Sequence, residues 1–203
     1  LSPMKFQLRT PTNITYGGGT LTQEALDCIG EALWEKLKEL ILAGIRFEHI
    51  AGIPQAGQPI AQAVAAAAAR EGRVLSIIYL FKEGAGNKRR IAGVEQGNWK
   101  AGDRVILIDD VVSHGNSGME AIEAAEGEGI LVAELLALID WELGGVEHLT
   151  RQGFSASTVM SVSQVLGILV SAGTLSRRQA NRVRRYQRKD RRFSQKTIYP
   201  CKT

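Results

Sequence analysis

The sequence predicts an α/β protein: a mostly parallel central sheet flanked by helices on both faces. Three observations carry that prediction. Short apolar runs alternate with segments of helical period along most of the chain. The runs are near-continuous instead of strictly alternating, the pattern of strands buried on both faces. Several of them end abruptly in Pro, Gly, Asp or Ser, the residues of strand-end loops.

Each element follows from its own residues. Ala25, Leu26, Ile29, Leu33, Leu37, Leu40 and Ile41 recur at three and four, which predicts an amphipathic helix over 25–43, capped by Thr22 and ended by Gly44. A short strand over 49–53 turns at Pro54, and the alanine-rich stretch 60–69 predicts the next helix. Strand 74–81, a polar Gly-containing segment over 82–103, strand 104–108, helix 117–126 and strand 131–139 continue the alternation. Beyond Asp140 the sequence predicts a polar stretch, a helix over about 163–171, and a basic helix from about Ser176. No internal repeat or linker divides the chain.

At 203 residues, 44% apolar and 23% charged, the composition fits one globular domain with an appendage and excludes a disordered or collagen-like chain. No run approaches the ~18 uncharged apolar residues of a membrane-spanning helix. Cys28 and Cys201 are expected to be a buried thiol and a tail thiol, as suits a reducing cytoplasm. Leu1-Ser2-Pro3 opens no signal peptide, which suggests a segment trimmed from a longer chain. The net charge of +4 is unevenly spread. Residues 177–203 hold eleven Lys and Arg against Asp190 alone, a net +10, leaving −6 on the body. Such a block suits nucleic acid or an acidic surface, or is the solvated face of a last helix.

Ligands of parallel sheets bind beyond the carboxyl ends of the strands. There, four apolar residues, Val105 to Ile108, lead into Asp109, Asp110, Val111, Val112, Ser113, His114, Gly115, Asn116 and Ser117. A loop of small residues running into a helix turns backbone N–H groups and a positive dipole end inward, a cradle for a phosphate dianion. Two adjacent carboxylates repel phosphate, but they accept hydrogen bonds from neighbouring sugar hydroxyls or bind a divalent cation. A ribose 5-phosphate satisfies both halves.

This segment resembles the phosphoribosyl pyrophosphate (PRPP) signature of the type I phosphoribosyltransferases, with His114 where the family usually has a small or hydroxyl residue. The resemblance runs along most of the chain and is closest to the orotate phosphoribosyltransferases. Phe6-Gln7-Leu8-Arg9, the pyrophosphate-type loop Pro54-Gln55-Ala56-Gly57, Lys82-Glu83, and Asp140-Trp141-Glu142-Leu143-Gly144-Gly145 all resemble that family's motifs. It implies the type I phosphoribosyltransferase fold over 1–176, with a small hood at 1–24, and a basic helix and tail over 177–203.

The resemblance further implies Asp109, Asp110 and Lys82 as catalytic residues. PRPP would be held by residues 109–117, Pro54, Gln55, Ala56, Gly57, Lys82, Lys88 and Arg89. Magnesium (Mg2+) would sit at Asp109 and Asp110, partly through PRPP, and Ser113, Trp141 and Arg9 would face the base. A cytoplasmic homodimer is implied, with no membrane partner. The reaction would attach ribose 5-phosphate to a base, orotate leading, with release of pyrophosphate. Alternatives are a purine or other base, or a non-catalytic PRPP sensor with a tail that contacts RNA. Three departures stand out. Phe81 replaces a basic residue, Gly84-Ala85-Gly86-Asn87 replaces the usual loop Lys and His, and Trp141 replaces the Arg that would hold orotate's carboxylate. The basic tail lies beyond every motif residue and is expected to be peripheral to the chemistry.

Overall fold

The computed structural model describes residues 21–85 and 90–198, with side chains as far as Arg191. Helix α1 (Gln23–Leu42) starts where the Thr22 hydroxyl accepts the Ala25 N–H at 3.2 Å, and it buries Leu26, Gly30, Leu33, Trp34 and Leu37 on one face. That phase turns Cys28 outward, so the thiol is exposed and not buried as the composition suggested. Strand β1 (His49–Gly52) is buried throughout. Helix α2 (Gly57–Arg70) packs its small side chains, Ala61, Ala63, Ala67 and Ala68, into the same core as α1. The small residues permit a close helix pair.

Strands β2 (Ser76–Glu83) and β3 (Arg90–Val94) follow, then β4 (Arg104–Val112), α3 (Asn116–Gly127) and β5 (Leu131–Asp140). The chain closes with α4 (Gly145–Arg151), β6 (Ala156–Ser161), α5 (Val162–Ser171) and α6 (Arg177–Ile198). The sheet order is β3-β2-β1-β4-β5-β6, and every neighbouring pair is parallel except β2 with β3. The chain therefore begins at mid-sheet, moves outward one way, and returns past β1 to build the other half. The reversal between β1 and β4 opens a crevice at their carboxyl ends.

Two cores sandwich the sheet. One gathers α1, α2, α5 and α6 around Ile50, Ile106 and Leu136; the other gathers α3 and α4 around Leu107, Leu135 and Ile122. Successive residues of β4 thus serve opposite cores, as the two-residue strand period requires. Three elements are absent from the expected list. The edge strand β3 lies in the polar segment, α4 opens on a Gly pair that reads as loop, and β6 is a half-buried edge strand of mixed polarity.

At the amino ends of the strands, His49 joins three of them. Its Nδ1 lies 2.8 Å from the Ser76 hydroxyl and its Nε2 3.0 Å from the Asp103 carboxylate. Asp103 also accepts the Lys100 N–H at 3.0 Å. The bond to His49, then the one from Lys100, holds the Asp103 carboxyl below the ordinary carboxylate range. Its contribution is complete above that range and is lost as pH falls through the depressed value. Acid denaturation followed by circular dichroism should therefore be shallower below about pH 4 for Asp103→Asn than for the unchanged protein.

Candidate functional site

The acid pair sits inside the strand, since β4 continues to Val112 where the sequence placed its end at Ile108. Backbone pairing with β5 fixes it: Asp109 is level with Ala137 and Val111 with Ile139. Asp109 is only 8% exposed, and its Oδ1 accepts the Asp110 N–H at 2.9 Å. Burial first, and the neighbouring Asp110 charge second, push the Asp109 carboxyl well above the usual range; the Lys82 ammonium opposes this. A desolvated carboxylate facing a second one is an arrangement that a cation or sugar hydroxyls would relieve.

Beyond the acids lies a cavity of about 260 Å³ lined by Asp109, Val111 to Gly118, Leu135 and Leu149. The first turn of α3 opens onto it, so unpaired N–H groups and the dipole end face the space. Gly145 makes the loop possible: a Cβ there would stand 2.6 Å from the Ser113 carbonyl and 2.8 Å from the Gly115 nitrogen. The loop and the start of α4 meet backbone to backbone, and the half-buried His148 lies against Gly115.

The loop Pro54 to Ala56 flanks the other side of the crevice. The Ile53 N–H donates to the Ile108 carbonyl at 2.8 Å, and a Cβ on Gly57 would stand 2.3 Å from that same oxygen. Only glycine lets the start of α2 close onto β4 one residue below Asp109. The Pro54–Gln55 peptide is cis. Pro54, Gln55, Ala56 and Gly57 do not line the cavity but border the same strand ends, and Lys82 reaches Asp109 through its charge. Arg9, Lys88 and Arg89 lie outside the described residues.

The basic helix is less peripheral than its sequence position suggested. The Gln187 side chain donates to the Trp141 carbonyl at 2.9 Å, Arg191 pairs with Glu147 at 2.6 Å, and Asp190 lies 3.4 Å from His114 Nε2. Ala180 and Val183 are buried beside Trp141 in one core cluster. The helix thus braces the loops after β4 and β5, and through His114 it touches the cavity lining. The signal was present in the chain: Ala180, Val183, Gln187 and Asp190 recur at three and four, a row hidden among cations. His114 Nδ1 is buried without a hydrogen-bond partner among the described residues.

No protein-family model matches the chain. Curated relatives do. The chain is 30% identical over 183 residues to the uridine 5'-monophosphate synthase of Bos taurus, covering 90% of this chain and 36% of that one. It is 29% identical over 133 residues to the orotate phosphoribosyltransferase of Methanocella arvoryzae, covering 66% and 71%. Among solved structures, UMP synthase of Leishmania donovani matches with a TM-score of 0.65 at 26% identity, covering 81% of this chain and 33% of that one. This chain therefore spans about a third of the length of the two synthases.

The chain is similar in sequence to orotate phosphoribosyltransferases and UMP synthases, and its structural neighbours are type I phosphoribosyltransferases. Those matches are consistent with a divergent, orotate phosphoribosyltransferase-like chain. Ser113 lines the cavity, whereas Trp141 is 8% exposed and is a core side chain. The structure thus gives the indole a packing role in this conformation, away from the cavity lining. A guanidinium there would be buried among apolar side chains, so exchanging Trp141 for Arg is no simple restoration of the family residue.

Among the described residues no three His, Cys, Asp or Glu side chains converge on one point. Two hard carboxylate oxygen donors do meet at Asp109 and Asp110, which fits a magnesium ion held jointly by protein and substrate, not an all-protein cage.

The cost of burying Asp109 has a measurable sign. Its raised value means that the ionised form weakens the fold as pH rises through that value. Asp109→Asn should melt several degrees above the unchanged protein at pH 7.5 by calorimetry, with the gap shrinking toward pH 4.

Proposed function

We propose that the chain transfers ribose 5-phosphate from PRPP to a nucleobase, orotate first among them, giving a nucleoside 5'-monophosphate and pyrophosphate. One observation carries the reading: an acid pair inside β4, beside a phosphate-sized cradle, at the point where the sheet order reverses, in a chain whose relatives are named orotate phosphoribosyltransferase. The cradle of Ser113 to Ser117 holds the 5-phosphate through N–H groups of the α3 start. Asp109 and Asp110 hold the ribose hydroxyls. Pro54 to Gly57 offers backbone N–H groups to the diphosphate, and Lys82 adds charge beside Asp109.

A ring nitrogen of the base attacks C1, the C1–oxygen bond breaks, and its electron pair leaves with pyrophosphate, with inversion at C1. Catalysis rests on positioning and electrostatics: positive charge that spreads over the ribose ring develops near two carboxylates already fixed for it. Magnesium, when bound at Asp109 and Asp110 with PRPP, supplies neutralisation of the departing pyrophosphate. No covalent nucleophile is needed. The family resemblance supports a homodimer in a reducing cytoplasm as the working state. No helix among the described residues is long and apolar enough to cross a membrane.

The base side is where this member departs from its relatives. With Trp141 in place of the Arg that the resemblance implies, a carboxylate of orotate is left desolvated, at about 3–5 kcal/mol, unless Arg9 meets it. Turnover of orotate should accordingly be slow. Initial rates with PRPP and magnesium against orotate, uracil, adenine and hypoxanthine, with pyrophosphate detected, test this. Base-dependent pyrophosphate release, lowered about a hundredfold or more in Asp110→Asn, is the expected result. PRPP binding without pyrophosphate release on any base would make the chain a sensor and overturn the reading.

A further inference from the structure

Six cations of α6, namely Arg177, Arg178, Arg182, Arg185, Arg188 and Lys189, are exposed and have no ion pair among the described residues. Elsewhere Lys36, Lys38, Arg70 and Arg104 are each paired with a glutamate. At about 100° per residue, the six fall within an arc of roughly 140°, on the side opposite the buried row of Ala180, Val183 and Gln187. They span about 18 Å of helix. The one acid of the segment, Asp190, is turned to His114 and away from the arc.

We propose that this outward face of α6 binds double-stranded RNA through its phosphate backbone, independently of the transferase reading. Five of the six are Arg, whose fork matches phosphate oxygens. Residues 1–176 carry a net −6, so the charge balance of the chain favours approach of a polyanion at the basic segment over the body as a whole.

The alternatives fit worse. An amphipathic helix inserts apolar residues into a lipid surface, and among the described side chains of α6 the apolar ones, Ala180 and Val183, are buried under it. Single strands need aromatic platforms, and none lies on the arc among the described side chains; Tyr186 is half-buried on its flank. A B-form duplex also offers its phosphates to such a face and is therefore one arm of the test. A-form duplexes are recognised by shape and by phosphates across a deep, narrow groove, and a convex cationic ridge meets these without entering.

The test is fluorescence anisotropy of a labelled 20-base-pair RNA duplex titrated with the full chain between 50 and 200 mM salt. About six neutralised phosphates give a slope of log affinity against log salt near −5, and roughly a thousandfold weakening across that range. R182E/R185E should lower affinity at least tenfold at 50 mM salt and reduce the slope by about 2. R182Q/R185Q, with melting temperature checked, should do so more mildly. The proposal is overturned by absence of binding at 50 mM salt, or by unchanged affinity in a folded variant. Equal or tighter binding of single-stranded RNA, a DNA duplex or anionic lipid vesicles would also overturn it.

Discussion

Two carboxylates sit next to each other inside β4, and one of them is buried where its charged form is disfavoured. Such an arrangement costs stability in the free protein, so it persists only where neighbouring elements leave the chain no alternative. Here the strand is locked on both sides, by Ile53 to Ile108 from β1 and by the register with β5. Gly57 and Gly145 let backbone approach so closely from either flank that a methyl group would collide with a carbonyl. The parallel sheet and both cores are, in this sense, the frame that holds Asp109 in place, and the cradle, the loop at Pro54 and Lys82 are arranged around it.

The last helix ties the chain's far end to that frame. Its inner row reaches the Trp141 carbonyl, Glu147 and His114, while its outer arc carries charge that makes no ion pair among the described residues. One helix therefore has two roles set by its period. The inward residues brace loops at the strand ends, and the outward residues remain free for a partner.

Much of this was legible in the sequence because the signals were local. The α1 spacing, the buried runs of β1, β4 and β5, and the phosphate loop each announce themselves within a dozen residues. The elements that escaped owe their form to partners distant in sequence. Strand β3 is a strand because β2 offers its edge, and β6 because β5 does. Helix α4 starts at a glycine pair whose meaning is the contact with Ser113 and Gly115, thirty residues earlier in the chain. The same holds for side chains. Asp109 and Ser113 line one cavity and are close in sequence, whereas Trp141 shares its core cluster with Ala180 and Val183 some forty residues on, and Cys28 reads as buried until the helix phase is fixed.

The central claim is that the acid pair and the cradle together form one PRPP site. Isothermal titration of PRPP with magnesium into the unchanged protein and into the Asp109→Asn, Asp110→Asn double variant tests it most directly. The account predicts saturable binding to the first and binding weakened by at least a hundredfold in the second, with the fold intact by circular dichroism. Equal affinity in the two proteins would contradict it and move the site away from β4.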